Sequence, residues 1–265
     1  MQLYKYHGTG NDFILIEKAA LTEEEIPELV RKLCHRQFGI GADGLMLAEP
    51  SAVADIKMRY WNQDGSVAPM CGNGIRVFTR YCVETGKLSK TAFAVETLAG
   101  IMPVEIIAAF DEIAVELGQP RFTLTKAEAN GSGRVSLQVN GGVYDLDLVF
   151  LGTLHGVVFT DHDINEDDAR ALCQHRYFPG GINVNFVQVL DHQHLRMKTY
   201  ERGVGFTLAC GTGAASAQVI AYQQGLTEPQ VVIETPGGLL QVEIGQGVRL
   251  TGPAVRIMKG ETEIE

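Results

Sequence analysis

The chain has no apolar run as long as the roughly 18 residues a membrane-spanning helix needs, so no such helix is expected. Its start, MQLYKYHGTGNDF, lacks the basic-then-apolar layout of a secretory leader, which points to a cytoplasmic protein. Clusters of cations are missing as well. Lys and Arg number 22 against 32 Asp and Glu, a net charge of −10, so neither a nucleic acid nor an anionic membrane is an expected partner. No CxxC pair occurs, and the cysteines number five, widely spaced. That excludes a zinc ribbon, a thioredoxin-like site and a paired disulfide framework. His192 and His194 have no third ligand nearby. In the stretch from Asp161, Glu166 and Leu172 stand where a calcium loop needs Gly and Glu, so no metal is expected. What remains is an ordinary globular composition, 45% apolar and 20% charged, with 30 glycines gathered in clusters that suit sharp turns and helix starts.

The chain repeats itself. Superposing Cys71 on Cys210 lays MCGNGIRVFTRY on the segment containing ACGTGAASAQVIAY, and IKMRYWNQDG on LRMKTYERGV. Nearly the same offset lays ETLAGIMPVEI on ETPGGLLQVEI, FGIGADGLML on FPGGINVNFVQV, and YHGTGNDFILI on FLGTLHGVVF. Five segments in one order imply two homologous domains, residues 1–118 and 119–251, with 252–265 returning to the first. Alternating or apolar runs read as strands in both halves: QLYKY, DFILIEK, LMLA, IKMRYW and MPVEII, then SLQVN, VYDLDLVFLG, VNFVQVL, LRMKTY, QVVIET and LLQVEI. Helices are fewer. Thr22 and Glu25 read as a capping box ahead of Ile26, Leu29, Val30 and Leu33, with Pro27 tolerated in the first turn. A second helix follows Cys71 and carries Ile75, Val77, Phe78 and Tyr81; their mates are residues 165–175 and the helix after Cys210. The expected class is α+β: two domains related by a pseudo-twofold axis, each a sheet wrapped around a central, mostly apolar helix.

Cys71 and Cys210 each precede a Gly-x-Gly and a helical run. The first turn of a helix carries unpaired N–H donors and partial positive charge. A thiol placed there has a lowered pKa and can act as a base near neutral pH. Two such cysteines at matching positions of two homologous halves imply one site, with a carboxylate seated on the N–H clusters. Two thiols on opposite sides of one carbon suit proton removal from one face and delivery to the other, which is stereoinversion. The other cysteines, Cys34, Cys82 and Cys173, lack such glycines and read as packing residues.

The motifs HGTGNDF, CHRQFGIGADG, NQDGS, MCGNGIR, FPGGINVNFVQV, ERGVG and ACGTGA resemble those of the diaminopimelate epimerase family, over nearly the whole chain. The resemblance implies an isomerase that works without metal, pyridoxal phosphate or other cofactor, on a small-molecule amino acid, with a homodimer as one expectation. It implies catalysis by Cys71 and Cys210. Asn11 and Glu201 would sit near the reacting amino group, and Gly72, Asn73, Gly211 and Thr212 would hold the reacting carboxylate through backbone N–H groups. Asn62, Asn183 and Arg202 would hold the far end, where Arg202 suits a distal carboxylate.

The repeat lays Asn62 over Glu201, Gln63 over Arg202, Asp43 over Asn183 and Asn11 over Thr153, so the flanking residues are asymmetric where the cysteines are not. The chain departs from the family pattern at Thr153 and Leu154, where Asn-Pro is usual, and at Phe206, where Glu is usual. The Asn binds the far end of the substrate, so Thr153 is carried as a substrate-binding position, and both departures bear on substrate choice. LL- to meso-diaminopimelate leads; a racemase of another amino acid such as histidine is the alternative. From other classes come a non-catalytic binder of a small anion and an isomerase of the same fold that uses a carboxylate.

Overall fold

A computed structural model of the chain describes residues 1–17, 22–108 and 112–264. The chain divides into two compact units, Met1–Val115 with Thr251–Glu265, and Glu116–Leu250.

In the first unit, β1 (Gln2–Gly8) and β2 (Asn11–Ile16) form a hairpin. Thr9 and Gly10 turn it with positive φ, 49° and 88°. After α1 (Ile26–Cys34), β3 (Gly44–Glu49) lies parallel to β2, and β4 (Ile56–Asn62) antiparallel to β3. Then come α2 (Gly72–Glu84), β5 (Ala92–Thr97) parallel to β4, and the meander of β6 (Gly100–Ala108) and β7 (Glu112–Glu116). FILI and LMLA are buried without alternation. A parallel pair covered on both faces has no solvent side to make polar. On one side, α1 sets Leu29, Val30 and Leu33 against Leu3, Ile14, Ile16 and Leu45. On the other lies α2, whose residues from Gly72 through Thr79 are all buried.

The expected capping box is displaced. Glu25 accepts the N–H and the hydroxyl of Thr22, at 2.8 and 2.9 Å, but the helix starts only at Ile26 and Glu25 itself occupies the cap position. Pro27 is the reason. With Thr22 as the cap, Pro27 would fall inside the helix, where its ring collides with a carbonyl one turn earlier. Lys18, the expected end of the DFILIEK strand, lies outside the described residues.

The second unit carries β8 (Arg134–Val139), β9 (Gly142–Leu151), β10 (Thr153–Phe159), α3 (Glu166–Cys173), β11 (Asn183–Asp191), β12 (His194–Glu201) and β13 (Gly205–Thr207). It continues through α4 (Gly211–Gln223), β14 (Gln230–Thr235), β15 (Gly238–Ile244) and β16 (Val248–Gly252). The order of pairings repeats: β9–β10 antiparallel, β10–β11 parallel, β11–β12 antiparallel, β12–β14 parallel, β14–β15 antiparallel. Residues alternate between two cores. Leu154, Val158, Val184 and Phe186 pack with α3, while Val157 and Val187 pack with α4. The acidic stretch from Glu166 forms the first turn of α3, capped by Asn165, whose side chain accepts the Asp168 N–H at 2.8 Å. Acids at a helix start complement its dipole.

The last strand, β17 (Val255–Glu261), pairs antiparallel with β1, from Gln2 opposite Glu261 to His7 opposite Val255. It stands to β1 as β8 stands to β9. Cations of α2 tie this segment down. Arg80 donates to the Ala254 carbonyl and pairs with Glu84 at 2.8 Å, and Glu84 also takes the Tyr6 hydroxyl at 2.8 Å. Arg76 is fully buried and donates to Gly72 O, Thr9 Oγ1, Asn73 Oδ1 and Pro253 O, at 3.0 to 3.4 Å. Burial lowers its pKa to about 10, so it remains a cation at pH 7. Arg76→Met should remove four donors' worth of contacts and leave buried acceptors unsatisfied. Urea unfolding should show a loss of about 3 kcal/mol.

Candidate active site

Cys71 and Cys210 are the N-cap residues of α2 and α4, in extended backbone (φ −139° and −118°). The amides of Gly72 and Asn73, and of Gly211 and Thr212, precede the first i→i−4 bonds, which are Ile75 N–H to Cys71 O and Ala214 N–H to Cys210 O. The helix itself therefore offers them no acceptor. Cys71 Sγ takes the Gly74 N–H at 3.4 Å, a sulfur version of the side-chain cap. The second glycine of each motif makes the close approach to the sheet. A Cβ on Gly74 would lie 2.3 Å from Met46 Cε and 3.2 Å from Cys71 Cβ. A Cβ on Gly213 would lie 2.3 Å from Asn185 Oδ1 and 3.2 Å from Cys210 Sγ.

The two helix starts rest on different floors. Under α2 lie the apolar Met46 and Phe13. Under α4 lie Asn185 and His155, both fully buried. Burial, with the charge of Arg202 adding to it, depresses the His155 pKa to about 3, so its ring is neutral. Asn185 Nδ2 stands 3.2 Å from His155 Nδ1. An amide nitrogen only donates, so Nδ1 accepts and the ring proton sits on Nε2. That proton points to Thr212 Oγ1 at 3.1 Å, and Thr212 Oγ1 lies 3.7 Å from Cys210 Sγ. Asn185 is held in turn by Thr199, whose hydroxyl donates to Oδ1 at 3.0 Å. A chain of contacts thus links Asn185 and His155, through Thr212, to the sulfur of Cys210. Sequence reasoning missed Asn185 and Thr199 and saw His155 only as part of a motif. Polar residues at inward positions of strands that otherwise carry Val157, Val187 and Met197 are the signal for them.

The remaining expected site residues fall on both units. Around Cys71, Asn11 Oδ1 accepts from Sγ at 3.4 Å, and Asn11 Nδ2 donates to Asp43 at 2.6 Å. The Asn73 side chain turns inward to Thr9 and Arg76, so only its backbone serves the helix start. Asn62 ends β4 with its amide engaged in the NQDGS turn, donating to Ser66 Oγ at 3.0 Å and accepting from the Tyr60 hydroxyl at 2.9 Å. In the second unit, Asn183 Oδ1 accepts the Arg202 N–H at 2.9 Å, which leaves Nδ2 as the donor that Asn183 can offer. The Arg202 stem packs over Gly181, at φ 72°, and its Nη1 donates to Gly180 O at 2.9 Å. Glu201 takes the Thr207 hydroxyl at 2.6 Å. Thr153 is half-buried at the start of β10, directly after Gly152 in left-handed backbone.

Two details differ from the sequence alignment. Gly44 lies opposite Asn62, and the β11–β12 ladder carried on by one residue sets Asn183 opposite Glu201. Asn183 therefore matches Gly44 in register rather than Asp43. Phe206 packs edge-on against Tyr200, ring centres 5.2 Å apart, and near Phe186. Strand alternation puts Thr207, not Phe206, on the side of Glu201.

The other three cysteines lie away from the helix starts. Burial, with the charges of Asp12 and Asp43 adding to it, pushes the Cys34 thiol up to about 12, and burial also raises Cys82 and Cys173.

A family model described as diaminopimelate epimerase matches residues 3–123 and 148–264. Relatives called diaminopimelate epimerase include those of Desulfitobacterium hafniense, 41% identical over 98% of this chain and 97% of the relative, and Alkaliphilus metalliredigens, 39% identical over 97% and 95%. The Archaeoglobus fulgidus relative is 41% identical over 97% and 94%. Among solved structures, a hydroxyproline epimerase from Agrobacterium vitis aligns with a TM-score of 0.72 at 16% identity, covering 98% of this chain and 91% of its own. A PhzF-family protein from Bacillus anthracis aligns with a TM-score of 0.71 at 18% identity, covering 100% and 99%. At such identities these two bear on the fold alone. Among the described residues no helix is long and apolar enough to cross a membrane.

Two outcomes are expected. Iodoacetamide at pH 8 should label Cys71 and Cys210 ahead of Cys34, Cys82 and Cys173, as read by peptide mass mapping. His155 should also link stability to acid. Its folded pKa lies below its unfolded value, so the unfolded chain binds the extra proton and stability falls as pH drops below about 6.5. Between pH 7 and pH 5, wild type should lose about 2 kcal/mol more than His155→Gln in urea unfolding. Equal losses in both proteins would contradict the buried neutral ring.

Proposed function

The chain belongs to the diaminopimelate epimerase family, and we propose that it converts LL- to meso-diaminopimelate by a two-base exchange at one α-carbon, with Cys71 and Cys210 as the bases. The observation that carries this reading is the placement of both thiols as N-caps of glycine-opened helices at matching positions of the two units. One cysteine enters as thiolate and takes the α-proton. The electron pair left on carbon is stabilised through the adjacent carboxylate, which the amides of Gly72, Asn73, Gly211 and Thr212 hold. The other cysteine, as thiol, gives its proton to the opposite face. Nothing is oxidised or reduced, and the proton count is unchanged. The two thiols exchange roles in the reverse direction and titrate as a coupled pair. The thiols supply both proton transfers, so the step calls for no cofactor or metal.

Asn11 Oδ1 and the Glu201 carboxylate accept from the reacting ammonium. Arg202 and the Nδ2 of Asn183 donate to the distal carboxylate, and the second N–H of Asn62 and the Thr153 hydroxyl complete that end. The enzyme acts in the cytoplasm on this small molecule, as a homodimer, with no role for nucleic acid or membrane.

The test is α-proton loss from LL-diaminopimelate in deuterated water, followed by NMR. Cys71→Ala and Cys210→Ala should each abolish exchange and epimerisation, and serine should serve little better, since a hydroxyl is far less acidic than a thiol. Arg202→Leu should lower kcat/KM several hundredfold, corresponding to about 3–5 kcal/mol for an unpaired buried carboxylate. Exchange of L-histidine with LL-diaminopimelate left untouched would overturn the substrate and leave the cysteine chemistry standing.

A further inference from the structure

Asn11 can serve the proposed reaction only if its oxygen, and not its nitrogen, faces Cys71 and the substrate ammonium. The group that enforces this is Asp43. A carboxylate only accepts, and Asp43 Oδ2 lies 2.6 Å from the Asn11 amide, so the partner atom must be Nδ2. Oδ1 is then directed to Cys71 Sγ, 3.4 Å away. Asp43 is itself fixed. Its Oδ2 takes the Asp12 N–H at 3.2 Å and its Oδ1 takes Arg36 Nη2 at 2.8 Å. Arg36 also grips Asp12 at 2.8 Å, and Lys5 pairs with Asp12 at 2.9 Å. Two cations and two anions balance within this group, so Asp43 adds little net field at the sulfur. Its distinct contribution is the orientation of one amide.

Resting on the function proposed above, we propose that Asp43 is a positioning residue that locks the Asn11 amide with its oxygen toward Cys71 and the substrate's amino group. The consequence is twofold. An acceptor facing the ammonium binds it, where an N–H would repel it. An acceptor facing the sulfur favours the thiol form of Cys71, where an N–H would favour the thiolate. Other groups that bear on Cys71 include the first-turn amides of α2, Gly74 N–H among them, and the cation of Arg76.

The experiment follows the pH dependence of Cys71 alkylation by iodoacetamide, resolved from Cys210 by peptide mass mapping, together with LL-diaminopimelate kinetics. In Asp43→Ala the freed amide can turn, so the alkylation midpoint should move at least half a pH unit lower and KM should rise about tenfold, more than kcat falls. The exchange variant N11D/D43N restores an N–H···O pair with reversed polarity and again sets an oxygen toward Cys71, so its midpoint should return to wild type or higher. Arg36→Lys keeps both the charge balance and the Asn11–Asp43 pair and should lower the melting temperature without moving the midpoint. An unchanged midpoint and KM in Asp43→Ala, or an exchange variant that behaves like Asp43→Ala, would overturn the proposal. If Asp43→Ala fails to fold, the exchange variant decides alone, against Asn11→Ala as the reference for a lost oxygen. The alkylation arm uses no substrate. A shifted midpoint beside a wild type that ignores LL-diaminopimelate sinks the assigned substrate and leaves the positioning role in place.

Discussion

A helix start buried against a sheet is the constraint from which the rest of each unit follows. The first-turn amides of α2 and α4 have no acceptor within their helices, and unsatisfied buried donors are costly. Each start answers with a cysteine at the cap and a glycine three residues on, which brings the helix close enough for its amides to converge on one point. In α2 the Cys71 sulfur takes one N–H. The other first-turn amides find no acceptor within the helix, which is buried from Gly72 through Thr79, even at Arg76, a residue type rarely found fully buried without partners.

Within that shared plan the two units diverge in what lies beneath each helix start. Met46 and Phe13 give α2 an apolar floor, and the hydrogen-bond partner of Cys71 comes from the side, through Asn11. Asn185 and His155 give α4 a polar floor, and a chain of contacts reaches Cys210 from below, through Thr212. The two sulfurs are thus approached from different sides, Cys71 by a side-chain amide and Cys210 by a hydroxyl.

Part of the fold was legible in the sequence because duplication writes the same signal twice. The helices after Cys71 and Cys210 and the FILI and LMLA strands follow from patterns of period, glycine and offset. Other features were not legible, for physical reasons. The β5 strand AFAVET alternates but is short and lies between helix and hairpin; β10 carries Gly156 and His155, which interrupt an otherwise apolar run. The capping box at Thr22 was a correct local contact in the wrong place, since Pro27 decides where the helix can start. Alignment placed Asp43 in the lining opposite Asn183. A one-residue shift in strand register moves it behind Asn11, because each step along a strand reverses the face.

The residues that flank the two helix starts differ in kind between the units. In the second unit the equivalent support comes from side chains bonding to backbone or to a neighbouring hydroxyl: Asn183 takes the Arg202 N–H, and Thr207 reaches Glu201. Fixing Asn183 through its oxygen turns its Nδ2 outward, so the pair of Asn183 and Arg202 presents donors only. In the first unit, fixing Asn11 through its nitrogen turns its oxygen outward, so the support from Asp43 makes that side an acceptor. Two asparagines with the same chemistry thus acquire opposite polarity from the group each is anchored to. The polarity each amide presents is set by which of its atoms is already spoken for.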